Sequence, residues 1–272
     1  VDEGNTPTDF DDEEIARKIT ISAAVAPLEW KKNKVNISDT PGFNAFLYET
    51  KGALVAADTG IVVIDGVAGV EVGTEKVAWQ CGELHIPRVF VINKLDRERS
   101  SFERALESIQ GVFGRGAIPV QIPIGAEDRF IGVVDLIRMK SITYKDETMG
   151  ADYIVGDIPA DMMDEAKHYR EQLLEKVSEA DDKILEKYLG GEEITEEEIK
   201  AALRKRVNSS VRSKSEPAFV PVICGSAFKN KGVQPLLDAV VDYLPSPLDV
   251  PSIEGVDPHA GEGADPISRK AA

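Results

Sequence analysis

The 272-residue sequence is 42% hydrophobic and 29% charged, and its 48 acidic against 32 basic side chains leave a net charge of −16. A chain of this size buries one substantial core and a second, smaller one; no apolar run reaches the about eighteen residues of a membrane span, and the acidic start VDEGNTPTDFDDEE is no secretory leader. A surface this negative does not coat nucleic acid through its mean field, which argues against DNA and restricts RNA contact to local basic patches.

The sequence starts on Val1 rather than Met, as expected of a segment from inside a longer chain. Cys81 and Cys224 lie in apolar settings and read as reduced core residues of a cytoplasmic protein. His85, His168 and His259 show no metal-ligand spacing.

In chain order, the charged run 11–18 is helix-like. Residues 20–30 and 34–38 then read as two strands around the turn Lys31-Lys32-Asn33. After DTPG, the spacing of Phe46, Leu47, Thr50, Leu54 and Ala57 predicts a helix. Residues 60–65 (GIVVID) form a short continuous apolar run, as in a strand covered on both faces. A helix is expected over about 72–84, a second such strand over 88–93 (RVFVIN), and another helix over 98–113 with Phe102, Ala105, Ile109 and Phe113 on one face. Strands alternating with helices predict an α/β fold, a doubly wound, mostly parallel sheet, with ligands beyond the carboxyl ends of its strands.

The pattern changes at 118–144, which reads as antiparallel strands (IPVQIPIG, FIGVVDLI, MKSITY). Helices are expected near 161–178, 182–189 and 196–207, the last with a capping box between Thr195 and Glu198. Ala166, Tyr169, Leu173, Val177 and Ala180 form an apolar stripe, which predicts a separate small core. Residues 151–200 hold sixteen acidic and six basic side chains, read first as a solvated helical face. A Ser-rich basic connection at 208–217 leads back to the parallel pattern, with a strand at 218–224 and a helix at 232–243. The expected organisation is therefore a nucleotide-binding domain of residues 1–117 and 218–246, an inserted α+β subdomain of 118–217, and a Pro- and Gly-rich exit linker from 247 to 272.

Three short motifs each close a strand. Asn93-Lys94-Leu95-Asp96 places a carboxylate where it can accept from the N1–H and 2-amino edge of guanine, whereas adenine would oppose it with a lone pair. The Asn amide suits N7, and the Lys stem can cover the base. Asp39-Thr40-Pro41-Gly42 offers a carboxylate for water-mediated magnesium binding and a glycine whose N–H can approach a γ-phosphate. Gly225-Ser226-Ala227, followed by Phe228, puts a backbone N–H within reach of guanine O6. Thr20 can give a hydroxyl to magnesium. Each piece alone is also an ordinary turn or cap; their order, each at or beside a strand that should carry it, points to a guanine-nucleotide site.

At these residues the chain resembles elongation factor G and its paralogues among the translational GTPases. RKITI (17–21), DTPGF (39–43), INKLD (92–96) and the stretch 225–251 carry the likeness, and 123–144 resembles the start of that family's insert. The resemblance covers about residues 8–255. It implies a P-loop GTPase-type fold, GTP/GDP and Mg2+ as ligands, and a ribosome-dependent GTPase acting in translocation or recycling. It further implies a cytoplasmic monomer whose partners are the ribosomal stalk protein and large-subunit RNA, the stalk protein meeting the insert. By the same resemblance Thr20 and Asp39 bind magnesium and Gly42 senses the γ-phosphate. Asn93, Lys94 and Asp96 read the base, and Ser226, Ala227 and Phe228 complete its pocket.

Three departures stand out. No G-x-x-x-x-G-K-[ST] occurs in these residues; in the family that loop lies upstream, and its strand sits mid-sheet between the strands ending near Ser38 and Asp65. Phe43 stands at the position of the family's catalytic histidine, and a phenyl ring cannot hydrogen-bond water. Lys18 replaces a switch glycine. A GTP-occupied binding module with little hydrolysis, and a related ribosome-protection or release-factor GTPase, are the competing readings.

Overall fold

A computed structural model of the protein describes residues 6–145, 148–179, 181–210, 219–249, 252–256, 259 and 267–269. A short helix, α1 (Asp12–Arg17), precedes an antiparallel hairpin of β1 (Ala24–Trp30) and β2 (Asn33–Asp39). Lys31 and Lys32 turn this hairpin with φ of 45° and 64°, the left-handed geometry a two-residue hairpin loop requires. The first strand therefore starts four residues later than its sequence suggests, and Thr20 lies in the loop before it.

The main sheet holds four parallel strands: β3 (Gly60–Asp65), β4 (Arg88–Asn93), β5 (Ala117–Pro119) and β10 (Val220–Cys224), in the order β3-β4-β10-β5. The crossover elements between these strands are α3 (Val72–Glu83) and α4 (Phe102–Phe113). Ser101 caps α4 by accepting from the Arg104 N–H at 3.2 Å, and Phe102, Ala105, Leu106 and Ile109 turn into the core. A final helix, α8 (Val233–Tyr243), follows β10. Among the described residues the hairpin shares no strand pairing with this sheet. Instead Asp238 of α8 accepts from Trp30 Nε1 at 2.7 Å and Lys31 Nζ at 2.8 Å. β3 is thus an edge strand, with Val62 and Ile64 buried but Ile61 and Val63 exposed on its other face.

Between β5 and β10 stands the insert. It is an antiparallel sheet β6-β7-β8-β9 (Gln121–Ile124, Gly132–Asp135, Lys140–Tyr144, Tyr153–Gly156) with helices α5 (Met163–Ser178), α6 (Asp182–Gly190) and α7 (Glu196–Ser210). The helices match the sequence pattern, but two expectations need correction. Ile118 and Pro119, read as the first insert strand, pair in parallel with Pro221 and Val222 and so extend the main sheet. The insert's apolar stripe is also no separate core: Ala166, Leu173 and Val177 belong to one continuous buried cluster with Phe90, Ile92 and Ile223 of the main sheet. α5 covers the β5 edge, so closing that edge merges the two cores. Ala180 and most of the connection at 208–217 lie outside the described residues. The stretch read as a linker carries two three-residue strands, β11 (Ile253–Gly255) and β12 (Ile267–Arg269), paired antiparallel.

Candidate functional site

The carboxyl ends of the parallel strands are where this topology leaves room for a ligand. At the end of β4, Asn93 takes its register opposite Asp65 at the end of β3. The chain then turns sharply through Lys94, whose φ is 63°. This turn is held by backbone bonds from Leu95 N–H to Gly225 O at 3.3 Å and from Arg97 N–H to Lys94 O at 3.0 Å, and by the Ser100 hydroxyl on Leu95 O at 2.9 Å.

The loop after β10 joins it. The Ala227 N–H donates to Asn93 Oδ1 at 2.8 Å across 134 residues of sequence. Ser226 is fully buried, and its backbone N–H and C=O both pair with Lys231, at 2.8 and 2.9 Å, closing the loop on itself. The Phe228 side chain is exposed, and its N–H makes no hydrogen bond among the described residues. Asn93 and Ala227, assigned to guanine from the sequence, thus meet in one place. The Ala227 amide serves Asn93, whereas the next amide, that of Phe228, has no partner among the described residues.

Asp96 supplies the most direct sign of a missing partner. Its Oδ1 is buried and accepts no hydrogen bond. A buried carboxylate oxygen left without a donor costs free energy unless something donates to it. The N1–H and 2-amino edge of guanine is the donor pair such an oxygen suits.

Asp65 was not singled out from the sequence, although an Asp at the carboxyl end of a parallel strand is a signal of its own. It accepts from Lys94 Nζ at 2.7 Å and from the Val67 and Ala68 N–H groups. Burial pushes its pKa up, but Lys94 and the two amides outweigh burial and hold the carboxyl below the usual range. The pair fixes the Lys94 stem beside the turn after β4.

The second half of the site lies between the segment preceding β1 and the loop after β2. Thr20, Gly42 and Phe43 line a cleft of about 310 Å3 together with Asp9, Lys18 and Ile19. A Cβ on Gly42 would meet nothing within 4 Å, so in this structure only a ligand approaching the backbone would be obstructed by a side chain there. Pro41 is buried, and its carbonyl accepts from the Thr50 hydroxyl at 2.9 Å, which anchors the start of α2 (Leu47–Val55). Thr40, before it, is half-buried. Asp39 accepts from the Thr8 hydroxyl at 2.6 Å, and Thr20 donates to Asp9 Oδ1 at 2.8 Å. Thr8 and Asp9 were not foreseen; the Thr-Asp pair preceding Thr20 by about a dozen positions was the available signal.

Lys76 of α3, the helix that follows the loop leaving Asp65, bonds Asn44 Oδ1 at 3.1 Å in the loop after Gly42. Among the described residues no hydrogen bond joins the half around Thr20 to the half around Asn93. A hydroxyl and a carboxylate are hard oxygen donors of the kind magnesium takes. No cluster of three or more His, Cys, Asp or Glu able to hold an ion occurs among the described residues, so the other ligands would come from phosphate and water.

Comparison with known proteins gives the family. Residues 1–246 match the Elongation factor Tu GTP binding domain family. A crystal structure of a protein from Thermus thermophilus superposes with a TM-score of 0.81 at 31% identity, over 91% of this chain and 36% of that protein. The chain spans about a third of that relative's length. No helix among the described residues is long and apolar enough to cross a membrane. The chain belongs to the family of elongation factor Tu GTP-binding domains.

Proposed function

We propose that this chain is the guanine-binding part of a ribosome-dependent GTPase of the elongation factor G type, a cytoplasmic monomer acting in translocation or recycling. The observation that carries the reading is the buried, donor-less Asp96 Oδ1 beside the Asn93–Ala227 bond. On this reading Asp96 takes the N1–H and 2-amino group, the Asn93 amide serves N7, and Lys94, tethered to Asp65, lies along the base. The loop of Ser226, Ala227 and Phe228 closes over O6. Across the site, the Gly42 amide meets the γ-phosphate, while Thr20 and Asp39 hold Mg2+, the latter through water. Magnesium, when bound, neutralises charge on the transferred phosphoryl group. The acidic face of α5, α6 and α7 is offered to the ribosomal stalk protein, and large-subunit RNA is met outside this acidic surface.

These residues hold no phosphate loop, and such a loop supplies most of the phosphate affinity. The isolated chain is therefore expected to bind GTP weakly, and a tight magnesium-dependent affinity would contradict that. The central test is Asp96→Asn in the full-length protein. An amide opposes the guanine edge with a donor but matches the C2 carbonyl of xanthine. GDP affinity should fall about a hundredfold and XDP affinity should rise; an unchanged GDP affinity would overturn the reading.

A second reading, a GTP-occupied ribosome-associated module with little turnover, is favoured by Phe43. It is 55% exposed at the cleft and has no polar atom for an attacking water. Multiple-turnover phosphate release with and without ribosomes separates the two.

A further inference from the structure

The insert touches the loops after β4 and β10 directly, and one of its turns reaches both of them. Between β6 and β7 the chain doubles back over Gly125–Phe130. Gly125 has a φ of +78°, and a Cβ there would lie 2.0 Å from Arg129 O. Glu127 adopts a φ of 55°, a conformation side chains avoid unless their surroundings impose it.

From this turn three bonds reach out. The Glu127 N–H donates to Leu95 O at 3.0 Å, and Glu127 Oε1 accepts from the Arg99 N–H at 2.8 Å, so both ends of the loop carrying Asp96 are held. At the turn's other end, the Phe130 carbonyl accepts from Lys231 Nζ at 3.0 Å, in the buried interior. Lys231 is the residue whose backbone closes the loop carrying Ala227 and Phe228. A second insert element supports that loop from outside. A Cβ on Gly150 would lie 2.6 Å from both Lys229 O and Asn230 O, and Gly150 O accepts from Gln234 Nε2 at 3.1 Å. Lys94, Arg99, Glu127 and Asn230 all hold left-handed backbone at this junction, strain that the joined loops maintain against each other.

We propose that the Gly125–Phe130 turn is a clamp that sets guanine selectivity, with Glu127 positioning the Asp96 loop and Lys231 positioning the Ala227–Phe228 loop. This rests on the guanine reading of the site. The insert is then a wall of the base pocket as well as an outer surface. Neither residue touches the nucleotide; each acts by fixing the loop that does.

The division of labour gives a test that general loosening cannot imitate. Glu127→Ala keeps the backbone bond to Leu95 but removes the carboxylate that holds Arg99, loosening the far end of the Asp96 loop, so it should erode the preference for GDP over IDP, which lacks the 2-amino group, by about three- to tenfold. Lys231→Met frees the other loop, so it should erode the preference for GDP over 6-thio-GDP, whose sulfur is a poor acceptor, by a similar factor. Each variant should leave the other ratio unchanged. Affinities that fall uniformly with both ratios kept, or do not change, would overturn the clamp.

Amide hydrogen exchange of nucleotide-free full-length protein is the companion measurement. Exchange at Leu95 and Arg97 should quicken in Glu127→Ala, and at Ser226 and Asn230 in Lys231→Met. Should the wild-type protein bind no guanine nucleotide, the functional reading fails, while exchange alone decides whether the turn holds the loops. Should Lys231→Met not fold, Glu127→Ala at the half-exposed site carries the test.

Discussion

Thr20 donates its hydroxyl proton to Asp9 Oδ1 at 2.8 Å, and the residue before Asp9, Thr8, donates to Asp39 Oδ2 at 2.6 Å. Two adjacent residues therefore hold the two side chains proposed to bind magnesium, which come from different segments. With its proton committed to Asp9, Thr20 keeps its oxygen lone pairs for a cation. Supporting partners of this kind commonly contribute about ten- to a hundredfold in metal affinity. Asp9→Ala in the full-length protein should raise the magnesium concentration needed for half-maximal nucleotide retention by about tenfold. A magnesium titration monitored by nucleotide fluorescence checks it, and an unchanged midpoint would remove Asp9 from the site.

Phe43 adjoins the cleft of Thr20 and Gly42. A Phe43→His variant restores a group able to hold water, an effect worth on the order of a hundredfold where no other group does so. Ribosome-stimulated phosphate release should rise accordingly. No gain would mean that another group orients the water in this protein.

Asp135 sits in the contact between insert and α8. Burial pushes its carboxyl above the usual range, against the lowering effect of the Arg138 and Ile137 amides and the Arg138 guanidinium. The folded state therefore binds this proton more tightly than the unfolded state. The associated stability is complete below the unfolded value of about 3.9 and is lost as pH rises through the folded value. Asp135→Asn keeps an acceptor for both amides and removes the buried charge, while Arg138 retains Glu196 at 2.8 Å. Relative to the parent, the variant should gain on the order of 1 kcal/mol at pH 7.5 compared with pH 4. Urea midpoints at the two pH values measure this, and a gain confined to acid pH would contradict it.

Asp238 is the anchor of the β1–β2 hairpin on α8. Asp238→Ala leaves Trp30 Nε1 without its 2.7 Å acceptor and removes the Lys31 ion pair. A loss of about 1–2 kcal/mol is expected. Only two tryptophans are present, and Trp79 is already 63% exposed, so a red shift of emission reports undocking of Trp30. Identical spectra would show that the hairpin is held by other contacts.

The strands and helices of the parallel sheet were legible because continuous apolar runs and 3.6-residue stripes are local signals. The NKLD and GSA turns were legible because each closes such a strand, and DTPG because it closes the second hairpin strand. What sequence could not show is pairing at long range. Lys231 finds Phe130 across 101 residues, and no periodicity records that. β5 looked like the start of the insert because Ile118 and Pro119 are apolar in either setting; only their pairing with β10 assigns them. β9 escaped notice because Tyr153, Ile154 and Val155 are all exposed on an edge strand and carry no alternation. Asp9 and Asp65 resembled the many other acidic residues until Thr20 and Lys94 were found against them.

The outer edge of β3 has a practical consequence for anyone preparing this polypeptide by itself. Ile61 and Val63 stand out to solvent along a backbone edge that pairs with no further strand among the described residues, and such an edge recruits β-strands from other molecules. Concentrated solutions should slowly form intermolecular β-structure that binds amyloid dyes. A charge introduced at Val63 should delay that conversion without altering the pocket's chemistry.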